Sequence, residues 1–174
     1  SDNKRRSPWA RVGLLLVLLA VVTGCAHEQA YKRGEKLSRE GEYENAIEEL
    51  EKAVALAEEG HNEKATERYR EKLAAVKQEA GRYYHHLAEE RFQEADLGSA
   101  QMLIERCVMY CPEEQPYWAF RQRVHKAIAD AEQLRSEALA LAQERQWKAA
   151  LERMNDALRM YKTLPAGRGD LDQI

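Results

Sequence analysis

The chain has 174 residues, 44% of them hydrophobic, with 27 Lys and Arg against 30 Asp and Glu. Removing residues 1–24, which hold four basic groups and Asp2, leaves 150 residues with net charge −6, enough for one domain that buries about 70% of its unfolded surface. That balance excludes a basic nucleic-acid surface, and the two signs are interspersed along most of the chain, as on solvated helix faces.

The N-terminus is ordered as an export signal: basic Lys4, Arg5, Arg6 and Arg11, then an apolar run, then small residues before a cysteine. The run from Val12 to Val22 is eleven residues, whereas a helix crossing the hydrocarbon core needs roughly 20. Val22, Thr23, Gly24 and Cys25 resemble the lipobox of bacterial lipoproteins, an aliphatic residue and two small ones before the lipidated cysteine. The resemblance implies a signal peptide over 1–24, covalent lipid on Cys25 and a short tether over 25–29. Two or more acyl chains, at about 0.8 kcal/mol per buried methylene, hold a protein on a bilayer without a spanning helix. Ala26 follows the cysteine where an aspartate commonly retains such proteins at the inner membrane. The resemblance therefore implies an outer-membrane protein facing the periplasm or, with a single membrane, one on the outer face of the cell membrane.

Beyond the signal the chain is rich in Ala, Glu, Leu, Gln, Lys and Arg, interrupted only by Pro112, Pro116 and Pro165. An all-α domain over 30–164 is predicted, with no sheet. Ala46, Ala100 and Ala150 are each followed four residues later by a larger apolar residue (Leu50, Ile104, Met154) and seven later by a small one (Ala53, Cys107, Ala157). Three residues before each stands Tyr43, Leu97 or Trp147. Small residues at helical spacing let two helices approach closely, so a helical hairpin is written three times.

Gly34, Gly41, Tyr43, Ala46, Leu50 and Ala53 resemble a tetratricopeptide repeat, with Gly41 in the turn between its two helices. In the second unit, which keeps Tyr84, Leu87, Ala88, Ala100, Cys107 and Pro112, Ala95 takes that turn position. In the third, with Leu134, Ala138, Leu141, Trp147, Ala150 and Ala157, Arg145 takes it. The first alanines are 54 and 50 residues apart instead of the repeat's 34, so 20 and 16 residues are added. The additions carry heptad-like seams: Tyr69, Leu73, Val76, Ala80, Tyr83 and Leu87, then Val124, Ala127, Ala131, Leu134, Ala138 and Leu141. Long first helices near 62–95 and 115–145 are predicted, the first continuing through Gly81 at a cost of about 1 kcal/mol.

The tetratricopeptide resemblance implies stacked antiparallel hairpins with a peptide- or protein-binding groove lined by first helices. Carried over by register, the groove positions are Tyr31, Glu35 and Ser38, then His85, Glu89 and Phe92, then Arg135, Leu139 and Ala142. Cys107 and Cys111 share a helix face roughly 6 Å apart, compatible with a disulfide or with free thiols. Cys107 also occupies a position where the repeat wants a small buried residue. His85 and His86 point about 100° apart and cannot hold one ion without His61, His125 or the cysteines, so no metal site is predicted. No catalytic motif is present, and the expected role is that of a non-enzymatic scaffold for other envelope proteins, without cofactor apart from the lipid. Self-association through the seams is an alternative role, as is service as the anchoring part of a larger complex, and a metal- or thiol-dependent redox protein is the third. Residues 165–174, with Arg168, Gly169 and Asp170, read as a polar tail or a linker to a continuation. Tyr117, Trp118 and Phe120 are expected to pack at a helix start.

Overall fold

The computed structural model describes residues 26–172 and 174, so Val22, Thr23, Gly24 and Cys25, with all of 1–24, lie outside the described residues. The described chain is all-α: α1 over 26–39, α2 Tyr43–Glu59, α3 Glu63–Gln93, α4 Leu97–Tyr110, α5 Gln115–Gln143, α6 Trp147–Met160 and the short α7 Gly167–Leu171. There is no strand among the described residues. The two long helices lie where the seams place them, and α3 continues through Gly81. The chain divides into two compact units, Ser1–Lys77 and Gln78–Ile174, and the division falls within α3.

Four of the connections are the same turn. After α1, α2, α3 and α5 one residue takes a left-handed conformation: Gly41 (φ 79°), His61 (φ 52°), Ala95 (φ 59°) and Arg145 (φ 62°). In each, the next residue's N–H bonds five residues back, as Glu42 to Leu37, Asn62 to Ala57, Asp96 to Arg91 and Gln146 to Leu141. The left-handed residue's own N–H bonds three back, as Gly41 to Ser38 and Ala95 to Phe92. This Schellman pattern satisfies carbonyls that a helix end leaves open, and one intervening residue then starts the next helix. Register alone locates the Ala95 and Arg145 turns; the His61 turn lies outside the three expected hairpins. A side chain in this conformation costs about 1 kcal/mol relative to glycine. Ala95→Gly is therefore expected to raise stability by about 1 kcal/mol, read as a higher urea midpoint at unchanged slope.

In the first unit α2 runs antiparallel to both neighbours. Arg33 of α1 pairs with Glu49 at 2.9 Å, while Glu58 and Glu51 of α2 pair with Arg70 and Lys77 of α3 at 2.5 and 2.7 Å. The core is Ala30, Tyr31, Ala46, Ile47, Leu50, Ala53, Ala57, Tyr69 and Val76. Residues 26–29, expected as tether, are already the first described turn of α1, and His27 is buried there. The cause is tertiary: His27 and Glu28 both bond Tyr69.

In the second unit α5 packs against α4 and α6, and α6 against α7. Ala100, Ile104, Cys107, Ala150, Met154 and Ala157 are fully buried, so the small-large-small pattern is the packing surface of the short helices. One cluster joins Leu97, Ala131, Ala157, Tyr161 and Leu164, flanked by Phe92, Ile128 and Leu158. Trp147 departs from its repeat position: it is 50% exposed at the start of α6, where Tyr43 is half-buried and Leu97 fully buried. Tyr83 departs from its seam, lying exposed while Tyr84 is buried. A straight helix drifts about 20° per heptad, and after Val76 the buried line moves by fours through Ala80, Tyr84 and Ala88. The residues read as a polar tail form α7, where Asp170 pairs with Arg135 at 2.5 Å and Gly167 seats against Leu158 and Leu164.

Candidate functional site

The groove positions are best judged by what already covers them. In α1, Tyr31 and Ser38 are buried, so neither lines an open groove. The Tyr31 ring stacks on Tyr69 of α3 with centroids 4.5 Å apart, and its hydroxyl donates to Glu35 at 3.0 Å. Only Glu35 of this set keeps substantial exposure. Tyr69 of α3 thus covers the Tyr31 position that the repeat register assigned to a groove.

Around that stack sits a polar clasp. The Tyr69 hydroxyl donates to Glu28 Oε2 at 2.7 Å, so the His27 Nδ1 only 2.8 Å from it is the donor of the second bond. Arg68 donates to the same Glu28 oxygen at 3.0 Å and lies over the Tyr31 ring, 4.5 Å from its centroid. The Tyr69 bond and the Arg68 charge hold the Glu28 carboxyl below the usual carboxylate range. Burial, followed by the Glu28 bond and charge, pushes the Tyr69 phenol up to about 12. These groups fix the first described turn of α1 to α3.

In the second unit, His85, Glu89 and Phe92 follow one face of α3, where His85 and Phe92 meet α5. His85 lies 5.1 Å from the Tyr117 ring and 5.2 Å from Phe120, and Phe92 meets Phe120 edge-on at 5.6 Å. Arg123 covers both phenyl rings, at 5.0 and 4.7 Å. Tyr117 and Phe120 thus pack at the start of α5, and Trp118 donates to the Pro112 carbonyl at 2.8 Å. The third set is half-buried on α5, with Arg135 held by Asp170 of α7. Each set therefore faces its own neighbouring elements.

Cys107 and Cys111 are separate buried thiols. The Cys107 thiol donates to the Gly81 carbonyl of α3 at 3.3 Å, and burial pushes its pKa up to about 12. A Cβ on Gly81 would lie 3.0 Å from Cys111 Sγ and 3.2 Å from the Tyr117 ring, so the glycine expected to be merely tolerated marks the closest approach of α3 to these groups. Reactivity follows the thiolate fraction and access. Titration of the folded protein with Ellman's reagent is expected to leave Cys107 unreacted over minutes, and its full reaction only after denaturation.

What register missed is apolar surface on the short helices. Met102 and Met109, 66% and 64% exposed, flank Arg106 on the solvent side of α4. On α6, Trp147 and Leu151 continue the line of Leu158, whose end α7 covers through Gly167. The one-turn spacing of Trp147 and Leu151 is a sequence signal for a shared face, although the repeat register groups Trp147 with the buried Leu97. In the first unit an open depression of about 780 Å³ at the α2–α3 turn is lined mainly by charged groups, among them Glu58, Glu63, Glu67 and Arg70.

Among the described residues no cluster of three or more His, Cys, Asp or Glu is placed to hold a metal ion, and no helix is long and apolar enough to cross a membrane. No protein-family model matches the chain, and no curated protein or solved structure matches it either.

Proposed function

We propose that this chain is a lipid-anchored, tetratricopeptide-like scaffold that holds partner proteins of the cell envelope close to a membrane. The reading is carried by the Val22-Thr23-Gly24-Cys25 sequence standing immediately before a helix whose second described residue, His27, is already buried and bonded to Tyr69. A lipid on Cys25 would leave almost no slack between bilayer and domain, since one trans peptide spans only about 3.8 Å. The hairpins beyond it offer exposed Trp147 and Leu151, a pair suited to a partner helix or peptide.

Expression with labelled fatty acid tests the anchor. The wild-type chain is expected to carry label and to sediment with membranes. Cys25→Ser is expected to carry none and to remain uncleaved, and label retained in that variant would sink the anchor reading. A photo-crosslinker at Trp147, compared with one at exposed Glu48 of α2, tests the scaffold role. Equal yields of crosslinked envelope proteins at the two positions would count against a partner on α6. Crosslinks to a second copy of the chain would favour the alternative in which this is the oligomerising, anchoring part of a larger complex.

A further inference from the structure

The charges of α1 and α2, interspersed in sequence, are segregated in space. Around α1 the buried residues His27, Ala30, Tyr31, Gly34 and Ser38 form one face. The opposite face is Gln29, Lys32, Arg33, Lys36 and Arg39, all exposed; the side chains of Lys32, Arg33 and Lys36 retain 71%, 56% and 73% exposure. Glu28 and Glu40 reach Lys32 and Lys36 only at 4.0 and 3.8 Å, loose exposed pairs that leave the lysines accessible. The adjoining α2 is the reverse, carrying Glu44, Glu48, Glu49, Glu51, Glu58 and Glu59 against Lys52 alone. Positions 29, 32, 36 and 39 are spaced 3, 4 and 3, the spacing of one helix face.

We infer that this cationic face of α1 lies along a bilayer containing anionic phospholipid, with the lipid of Cys25 as the first attachment and Lys32, Lys36 and Arg39 as the second. The inference rests on the anchor reading. An acyl anchor holds the adjacent helix at the surface, and a basic patch there gains from the negative surface potential, whereas the acidic α2 is repelled by it. The buried face of α1 then points away from the lipid, so the core remains intact when the face is occupied.

The test uses the lipidated chain reconstituted in vesicles, with a fluorophore on Gln29→Cys or, as control, on Glu48→Cys; Cys107 and Cys111 are buried. Acrylamide, an uncharged aqueous quencher, reports shielding. In vesicles of mixed phosphatidylcholine and phosphatidylglycerol, quenching at position 29 is expected to fall by about half relative to phosphatidylcholine alone, with position 48 unchanged. The protection is expected to disappear in 1 M NaCl, where the Debye length is about 3 Å, and in the Lys32→Glu, Lys36→Glu, Arg39→Glu variant. Equal quenching in both vesicles, on a chain whose mass shows acylated Cys25, overturns the stripe while leaving the anchor intact. Unmodified Cys25 overturns the anchor reading and the inference with it. Protection at position 29 that grows with protein concentration in detergent, without vesicles, overturns it in favour of contact with the acidic α2 of a second copy.

Discussion

Tyr69→Ala is expected to destabilise the first unit by about 4 kcal/mol, the range for emptying a buried aromatic site, because Tyr69 is the largest fully buried side chain among the described residues. The substitution also strips His27 of its bonding partner and Glu28 of its hydroxyl donor. Tyr69→Phe keeps the stack with Tyr31 and loses only the hydroxyl, for an expected loss of about 1–2 kcal/mol near neutral pH. The pH dependence separates the two contributions. The Tyr69 phenol is raised in the folded state, so its stabilising share is fully present below its ordinary value of 10.0 and is lost as pH rises toward about 12. The Glu28 carboxyl is lowered, chiefly by the Tyr69 bond, so its share is present above 4.5 and is lost as pH falls through the folded value. The advantage of wild type over Tyr69→Phe in urea midpoint should therefore be greatest between these limits and shrink at both ends. No difference across that range would mean that the clasp contributes shape alone.

Much of the fold was legible because packing between helices leaves a strong local mark. Ala46, Ala100 and Ala150 had to be small for backbones to approach, and spacing alone identified Leu50, Ile104 and Met154 as the residues between them. Even the Ala95 and Arg145 turns were locatable without glycine, since the register of flanking helices fixes where the chain reverses. The features that were not legible depend on contacts distant in sequence. Nothing local says that Tyr69 will stack on Tyr31 and fill the position read as groove, or that Asp170 will draw a glycine-rich segment onto Arg135 as α7. The basic face of α1 was hidden for a simpler reason: Lys32, Arg33, Lys36 and Arg39 alternate with Glu28 and Glu35 along the chain, and only the helical period separates them. The candidate surfaces thus arise from which faces the neighbouring helices leave uncovered.

Gly34 offers the sharpest test that α1 is held by close packing and not by helix propensity. In an exposed helix, Gly→Ala gains about 1 kcal/mol. Here a Cβ would lie 2.6 Å from Leu50 Cγ and 3.1 Å from the Ala46 carbonyl oxygen, and Leu50 is itself fully buried. Leu50 would have to move within the core, and a backbone oxygen does not yield. Overpacking of this kind typically costs about 1–3 kcal/mol, so Gly34→Ala is expected to be destabilising on balance and Gly34→Val to release α1 altogether. Leu50→Ala alone should cost about 3 kcal/mol as a cavity, but it removes the atoms that Cβ34 meets. The double variant is therefore expected to be about 1–2 kcal/mol more stable than the sum of the single losses, measured by a double-mutant cycle in urea. Strict additivity would mean that α1 can shift away from α2 at no cost. On the proposed lipid anchor, release of α1 by Gly34→Val would also free from the core the helix that follows Cys25.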